Sequence, residues 1–245
     1  MTEKEFKSID FQKNSSFTFG DTFQTAFSAL MGKVYIWMSL ALLITGLTAY
    51  IVAGSSYLVT AMVEHRYIVW GLFAAELALV FVITGRVNKL SLAQATVLFV
   101  AYSLINGVTL SLTLLVYQAA SVTKAFLVTS GTFGIMALYG YTTKRNLTSI
   151  GNLLFFGLIG LIIATIANFF FRSSGFEMLI SYAGVIIFIG LTAWDSQKIK
   201  KMLITESQYG ISEHSQKIAL LGALSLYLDF INLFLYLLRC MGNKK

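Results

Sequence analysis

Three carboxylates lie inside long apolar stretches of the sequence. They are Glu76 in "LFAAELALVF", Asp195 in "GLTAWDSQKIKK" and Asp229 in "LSLYLDFINLFLYLL". An ionisable side chain at membrane depth costs about 3 kcal/mol by insertion scales, so such a residue faces a protein interior or water and usually has a function. Carboxylates bind protons and hard cations, and these are the chemistries that the three residues offer.

Asp229 belongs to a stripe of small and polar residues. Gly222, Ser225, Asp229, Asn232 and Tyr236 follow one another at intervals of three or four, which places them on one face of a helix. We expect the stripe to face the protein interior and the apolar residues to cover the other faces. For Ser225 and Asn232, a role in helix packing explains the pattern equally well.

Asp195 lies near the end of the preceding apolar stretch. Adjacent helices joined by one connection tend to pack antiparallel, so Asp195 can meet Asp229. Two carboxylates that share a site cannot both ionise cheaply, and we expect this pair to share a proton and titrate near neutral pH. The simpler interpretation is a solvated acid beside Lys198.

Other polar residues extend this picture. Glu76 is expected at about mid-depth, as a third wall of a polar interior. Arg86 follows ten residues later and can reach the membrane side of Asp195, although an anchor in the headgroup region is the simpler interpretation. Further polar positions are Tyr102, Asn106, Thr109, Thr113 and Asn168.

The surrounding sequence predicts an all-α membrane protein. Of its 245 residues, 57% are hydrophobic and 12% are charged, which is typical of membrane proteins and not of soluble domains. One transmembrane domain, residues 33–239, is expected between a polar tail, residues 1–32, and a short basic tail, residues 240–245. The seven predicted spans are Lys33–Ala53, Tyr67–Thr84, Leu90–Tyr117, Thr123–Thr143, Ser149–Phe171, Glu177–Lys198 and Lys217–Arg239.

The basic residues predict the orientation. Twelve of them share one side of the seven-span arrangement: Lys4, Lys7, Lys13, Lys33, Arg86, Lys89, Lys144, Arg145, Lys198, Lys200, Lys201 and Lys217. Six lie on the other: Arg66, Lys124, Arg172, Arg239, Lys244 and Lys245. Because cytoplasmic loops are enriched in Lys and Arg, we expect a cytoplasmic N-terminus.

Several function classes do not fit the sequence. It has no proline, which argues against an intramembrane aspartyl protease with its Pro-Ala-Leu motif. His65 and His214 fall in connections, so a serine–histidine membrane protease is disfavoured. Cys240 is the single cysteine, and no thiol or zinc site is expected. Nucleic-acid binding is not expected, because no segment combines a basic stripe with aromatic platforms. No enzyme activity or cofactor is expected either.

The sequence resembles the Bax inhibitor-1 family, the transmembrane Bax-inhibitor-motif proteins, in a bacterial form. The resemblance rests on "ALSLYLDFINLFLYLLR" from Ala223, "WDSQKIKK" from Trp194, "YGYTTKRNL" from Tyr139 and "NGVTLS" from Asn106. It implies six helices around a central seventh, a proton-sensitive pair formed by Asp195 and Asp229, and a pH-dependent calcium leak in the bacterial inner membrane.

The resemblance also implies an arginine latch on the sixth-span aspartate, for which Arg86 is the nearest candidate. It implies association with a membrane-bound quality-control protease. Asn146 stands where many members have an acid.

We therefore expect a passive, pH-gated cation leak. Its polar interior would contain Glu76, Asn106, Ser225 and Asn232, and calcium would bind weakly and transiently near Asp195, Asp229 and Glu76. Two alternatives remain open: a non-conducting scaffold that modulates a membrane protease or a stress response, and a proton-coupled solute transporter.

Overall fold

The chain folds as a bundle of long helices. The computed structural model describes the backbone of residues 3–208 and 210–245 and the side chains from Phe23 onward. Within these residues, the helices are α1 (Glu3–Ala53), α2 (Ser56–Glu64), α3 (Arg66–Arg86), α4 (Leu92–Val116), α5 (Ala119–Thr142), α6 (Thr148–Phe171), α7 (Ser174–Ser207) and α8 (Glu213–Met241).

Seven of the described helices, all except α2, are long and apolar enough to cross a membrane. They correspond one to one with the predicted spans, so the prediction of an all-α protein with seven transmembrane helices is confirmed. The helix that contains the first span, α1, begins before the predicted start of that span at Lys33, and its apolar part includes Phe23–Ala53 of the described side chains. The side chains of residues 1–22, which include most of the predicted polar tail, lie outside the described residues.

α8 is the central helix of the bundle. In the most apolar 18-residue stretch of α8, 67% of the residues are buried. In the most apolar 18-residue stretch of α6, 6% are buried. α8 packs on α7, α1, α5 and α4, while α3 packs mainly on α4 and α6 packs on α7. The apolar faces of α8 are therefore buried against neighbouring helices.

The connection between the last two helices differs from the prediction. The predicted spans Glu177–Lys198 and Lys217–Arg239 leave a long connection between them, but α7 continues to Ser207 and α8 begins at Glu213. Ile199, Leu203 and Ser207 recur every four residues on the extension and are buried. The extension is thus amphipathic and stays helical because its apolar face packs on the bundle.

The end of α8 is fixed by the connection between α4 and α5. The backbone N–H of Gln118 donates to the carbonyl of Asn243 at 3.1 Å, and the N–H of Lys245 donates to the carbonyl of Val116 at 2.9 Å. The C-terminal end of α8 therefore lies at the same end of the bundle as this connection, as expected for a helix that crosses fully.

Candidate functional site

The polar stripe of α8 faces α7. A Cβ on Gly222 would lie 3.0 Å from the Ile199 side chain, and a Cβ on Gly184 of α7 would lie 2.7 Å from the Tyr236 ring. Small residues on each helix thus admit a large side chain from the other, which brings the two backbones close.

Asp195 and Asp229 meet at this interface. Asp229 is in the middle of α8 with 5% of its surface exposed, and its carboxylate interacts electrostatically with that of Asp195. The Ser225 side chain and the Lys198 ammonium are further neighbours of the Asp195 carboxylate. The Lys198 ammonium also lies 5.1 Å from the centre of the Trp194 ring.

One oxygen of Asp229 has no hydrogen-bond partner among the described residues. This oxygen, Oδ2, is buried. An ionised carboxylate can only accept, and leaving a buried polar atom unpaired costs about 1–3 kcal/mol, or more for a charged group. Oδ2 is therefore a place where a proton or a cation would supply the missing interaction.

Asn232 and Tyr236 of the α8 stripe, and Asn168 of α6, contact residues other than the two aspartates. The Asn232 amide donates to the carbonyl of Leu228 at 2.8 Å, within the same helix. The Tyr236 ring stacks on Phe188 with 5.8 Å between ring centres. Asn168, at the end of α6, accepts a hydrogen bond from the backbone N–H of Ser173 at 3.1 Å. Asn168 therefore stabilises the turn into α7.

A second polar cluster lies on the opposite side of α8. The Thr109 hydroxyl donates to Glu76 Oε1 at 2.7 Å, and Asn106 interacts with the same carboxylate. Asn106 Oδ1 accepts a hydrogen bond from the Tyr227 hydroxyl at 3.0 Å. The Tyr227 hydroxyl also lies 2.7 Å from that of Thr45, so this cluster connects α3, α4, α8 and α1.

The hydroxyl groups of Thr45 and Tyr227 have fewer protons to donate than there are acceptor atoms around them. The Thr45 hydroxyl donates to the carbonyl of Ser103 at 2.9 Å. Tyr227 then has one proton for two acceptors, the Thr45 oxygen and Asn106 Oδ1. Tyr227 is fully buried, and sequence inspection did not identify it. It lies outside the stripe of Asp229 on a face expected to be apolar, and a tyrosine within a Leu- and Phe-rich run gives no periodic signal.

The structure does not bring Glu76 to the aspartate pair. Its partners are Thr109 and Asn106, whereas Asp195 and Asp229 interact across α7 and α8. Among the described residues, no group of three His, Cys, Asp or Glu side chains is arranged to hold a metal ion. Glu76 and the aspartate pair thus have different described partners, and weak, transient calcium binding near the three carboxylates stays a prediction.

Arg86 does not contact Asp195 in this arrangement. It is exposed in the last turn of α3, a helix whose main contacts are with α4 and α2. No ion pair joins Arg86 to Asp195 among the side chains that the structure describes. The latch between Arg86 and Asp195 stays a prediction, and the structure shows Arg86 at the exposed C-terminal end of α3.

The residues around Asp195 attach α7 to the α5–α6 connection. Gln197 accepts from the N–H of Leu147 at 2.9 Å and donates to the carbonyl of Arg145 at 2.8 Å. The Ser196 hydroxyl donates to the carbonyl of Ala137 at 2.7 Å. The sequence indicated none of these roles, because each hydrogen bond joins residues that are 50 to 59 positions apart.

Asn146 also has a partner in this region. The Lys201 ammonium donates to Asn146 Oδ1 at 3.0 Å, and the Thr148 hydroxyl donates to the same oxygen at 2.7 Å. The neutral amide thus accepts the hydrogen bonds that an acid at this position would accept.

Comparison with known proteins agrees with this architecture. The model of the family described as inhibitor of apoptosis-promoting Bax1 matches residues 28–245. The chain belongs to the Bax inhibitor-1 family. The protein is accordingly a multi-pass integral membrane protein of the Bax inhibitor-1 type.

Bacterial members of the Bax inhibitor-1 family are similar over most of their length. The inner membrane protein YbhL of Escherichia coli strain K12 is 46% identical over 217 residues, which are 88% of this chain and 92% of YbhL. An uncharacterized protein of Rickettsia prowazekii is 41% identical over 240 residues, which are 97% of this chain and 99% of that protein. An uncharacterized protein of Borreliella burgdorferi is 42% identical over 215 residues, with 88% of this chain and 92% of that protein covered.

Proposed function

We propose that the protein is a passive, pH-gated cation leak with calcium as the permeant ion, gated by a proton shared between Asp195 and Asp229. The observation that carries the proposal is the unpartnered Oδ2 of Asp229, buried in the central helix beside a second carboxylate. A buried pair of this kind changes its net charge with pH, and a cation passing it would meet oxygen ligands.

The gate would be the packing of α8 on α7. Adding one proton removes repulsion between the two helices at the Asp195–Asp229 contact, and losing it restores the repulsion. The same interface contains the close approaches of Gly222 to Ile199 and of Gly184 to Tyr236. Two packings of α8 would therefore differ in free energy by an amount that pH controls.

Calcium flux into proteoliposomes between about pH 6 and pH 8, a range that spans the expected titration, tests this proposal. We expect Asp195→Asn and Asp229→Asn each to flatten the pH dependence, because neither leaves a pair that can share a proton. Glu177→Gln is the matched control. It removes an exposed acid from the other end of α7, and its pH profile should equal that of the wild type.

Unchanged pH profiles in both aspartate variants would exclude the sensor. Wild-type protein that moves no ion but copurifies with a membrane protease would instead support the scaffold alternative. Flux that follows an imposed proton gradient and not the pH itself would support the proton-coupled transporter.

We also propose that the protein lies in the bacterial inner membrane with its N-terminus in the cytoplasm. The name of the related inner membrane protein YbhL supports the location. The excess of Lys and Arg on the side of the α3–α4 and α5–α6 connections supports the orientation.

A further inference from the structure

A crevice opens between α1, α4 and α5 and reaches the central helix. Its volume is about 290 Å³. Its walls are apolar side chains such as Leu42, Leu114 and Val122, and its floor is formed by Phe230 and Phe234 of α8. α5 packs on α7 and α8 while α4 packs on α1 and α3, so the two helices diverge after their two-residue connection and leave this space.

The crevice continues to the end of the bundle where α8 ends. A second cavity of about 680 Å³ shares four lining residues with it, Tyr50, Leu114, Val122 and Thr123. The described residues that line this outer part include Lys245 and no Asp or Glu. The Lys245 ammonium donates to the carbonyl of Leu114 at 3.3 Å, which holds the positive charge at the mouth.

The dimensions of the crevice match one leaflet of a bilayer. The α1 wall extends from Leu42 to Ala53, which is about 16 Å along a helix at 1.5 Å per residue. This is about half of the ~30 Å hydrocarbon core. An occupant therefore needs an apolar chain about one leaflet long, with a negative group at the end nearest Lys245.

We propose that this crevice binds one diacyl phospholipid with an anionic headgroup from the leaflet at the Lys245 end. One acyl chain would lie along α1 and α4 and end against Phe230 and Phe234, and the headgroup phosphate would contact the Lys245 ammonium. The site does not depend on the leak activity, because none of its contacts involves Asp195 or Asp229.

Two glycines provide a matched test of the apolar part. Gly46 lines the crevice, and a Cβ built on it meets no atom within 4 Å, so Gly46→Leu should place its side chain in the crevice. Gly131 of α5 is equally open but does not line the crevice, and Gly131→Leu is its control. Lys245→Ala tests the headgroup contact without changing the core, and Lys89→Ala at the opposite end of the bundle is its control.

The measurement is native mass spectrometry of the purified protein with added phosphatidylglycerol or with phosphatidylcholine of the same acyl chains. We expect a phosphatidylglycerol adduct that Gly46→Leu weakens about tenfold. Lys245→Ala should weaken it about fivefold. Neither control should change it. Thermal unfolding of each variant in detergent verifies that it is folded.

Equal phosphatidylglycerol binding by Gly46→Leu and Gly131→Leu would overturn the proposal, since the lipid would then bind elsewhere. Equal binding of the two phospholipids, or an unchanged adduct in Lys245→Ala, would overturn the anionic headgroup contact.

Discussion

At the scale of single residues, α8 presents different polar groups on two of its faces. Asp229 faces α7 with an oxygen that lacks a partner, and Tyr227 faces α1 and α4 with two acceptors for one proton. The sequence singled out Asp229 because a carboxylate in an apolar run is rare. It did not single out Tyr227, because the partners of Tyr227 come from helices more than a hundred residues away.

Removing the Tyr227 hydroxyl should destabilise the protein by about 1 kcal/mol, since hydrogen bonds within membrane proteins average about 0.6 kcal/mol and this hydroxyl contacts two partners. The change is Tyr227→Phe, and the measurement is equilibrium unfolding in detergent. Tyr182→Phe is the control, because Tyr182 is 56% exposed on α7. Similar unfolding free energies for both variants would contradict a structural role for the cluster around Tyr227.

At the scale of helices, hydrophobicity identified every span, but packing determined where the helices end. The extension of α7 to Ser207 and the short α2 were not predicted, since both are too polar or too short to be identified as spans. The Asp195–Asp229 contact followed from two consecutive antiparallel helices. Arg86 could not be placed in this way, because nothing in the sequence indicates that α3 packs on α4 and not on α7.

The α5–α7 interface depends on Gly140. A Cβ at this position would overlap the carbonyl of Ala193, a backbone atom that cannot move independently of α7. We expect Gly140→Ala to destabilise the protein by about 1–3 kcal/mol, as overpacked sites do. The measurement is again the free energy of equilibrium unfolding in detergent.

Gly134→Ala is the control on the same helix. A Cβ at Gly134 meets no atom within 4 Å, so this variant should be neutral or slightly stabilising because alanine favours a helix. If Gly140→Ala were equally well tolerated, α5 and α7 could not be packed as closely as described.

At the scale of the whole molecule, the bundle has a buried axis and a lipid-facing ring. The identity of the central helix could be inferred only from the family resemblance, because several spans are equally apolar. The structure provides the reason, since α8 has small residues toward α7 and a buried tyrosine toward α1 and α4. Glu76 was predicted to lie near the aspartates, but its described partners, Thr109 and Asn106, belong to the cluster around Tyr227.

Orientation can be tested with single cysteines in a Cys240→Ser background. Glu64→Cys lies at the end of α2, and Lys89→Cys lies in the α3–α4 connection; both native residues are exposed. In intact cells, a membrane-impermeant maleimide should label Glu64→Cys and not Lys89→Cys, and permeabilised cells should show both. The reverse pattern would place the N-terminus outside the cytoplasm.

The Gln197 side chain has a consequence for biogenesis. It satisfies the carbonyl of Arg145 and the N–H of Leu147, which precede it by 52 and 50 residues. A ribosome adds residues from the N-terminus, so the turn of the α5–α6 hairpin is synthesised well before the side chain that secures it. Until α7 is inserted, Gln197 is not available to the α5–α6 turn, and water must hydrogen-bond to the Arg145 carbonyl and the Leu147 N–H instead. A nascent chain that stalls between α6 and α7 would be an early substrate for quality control.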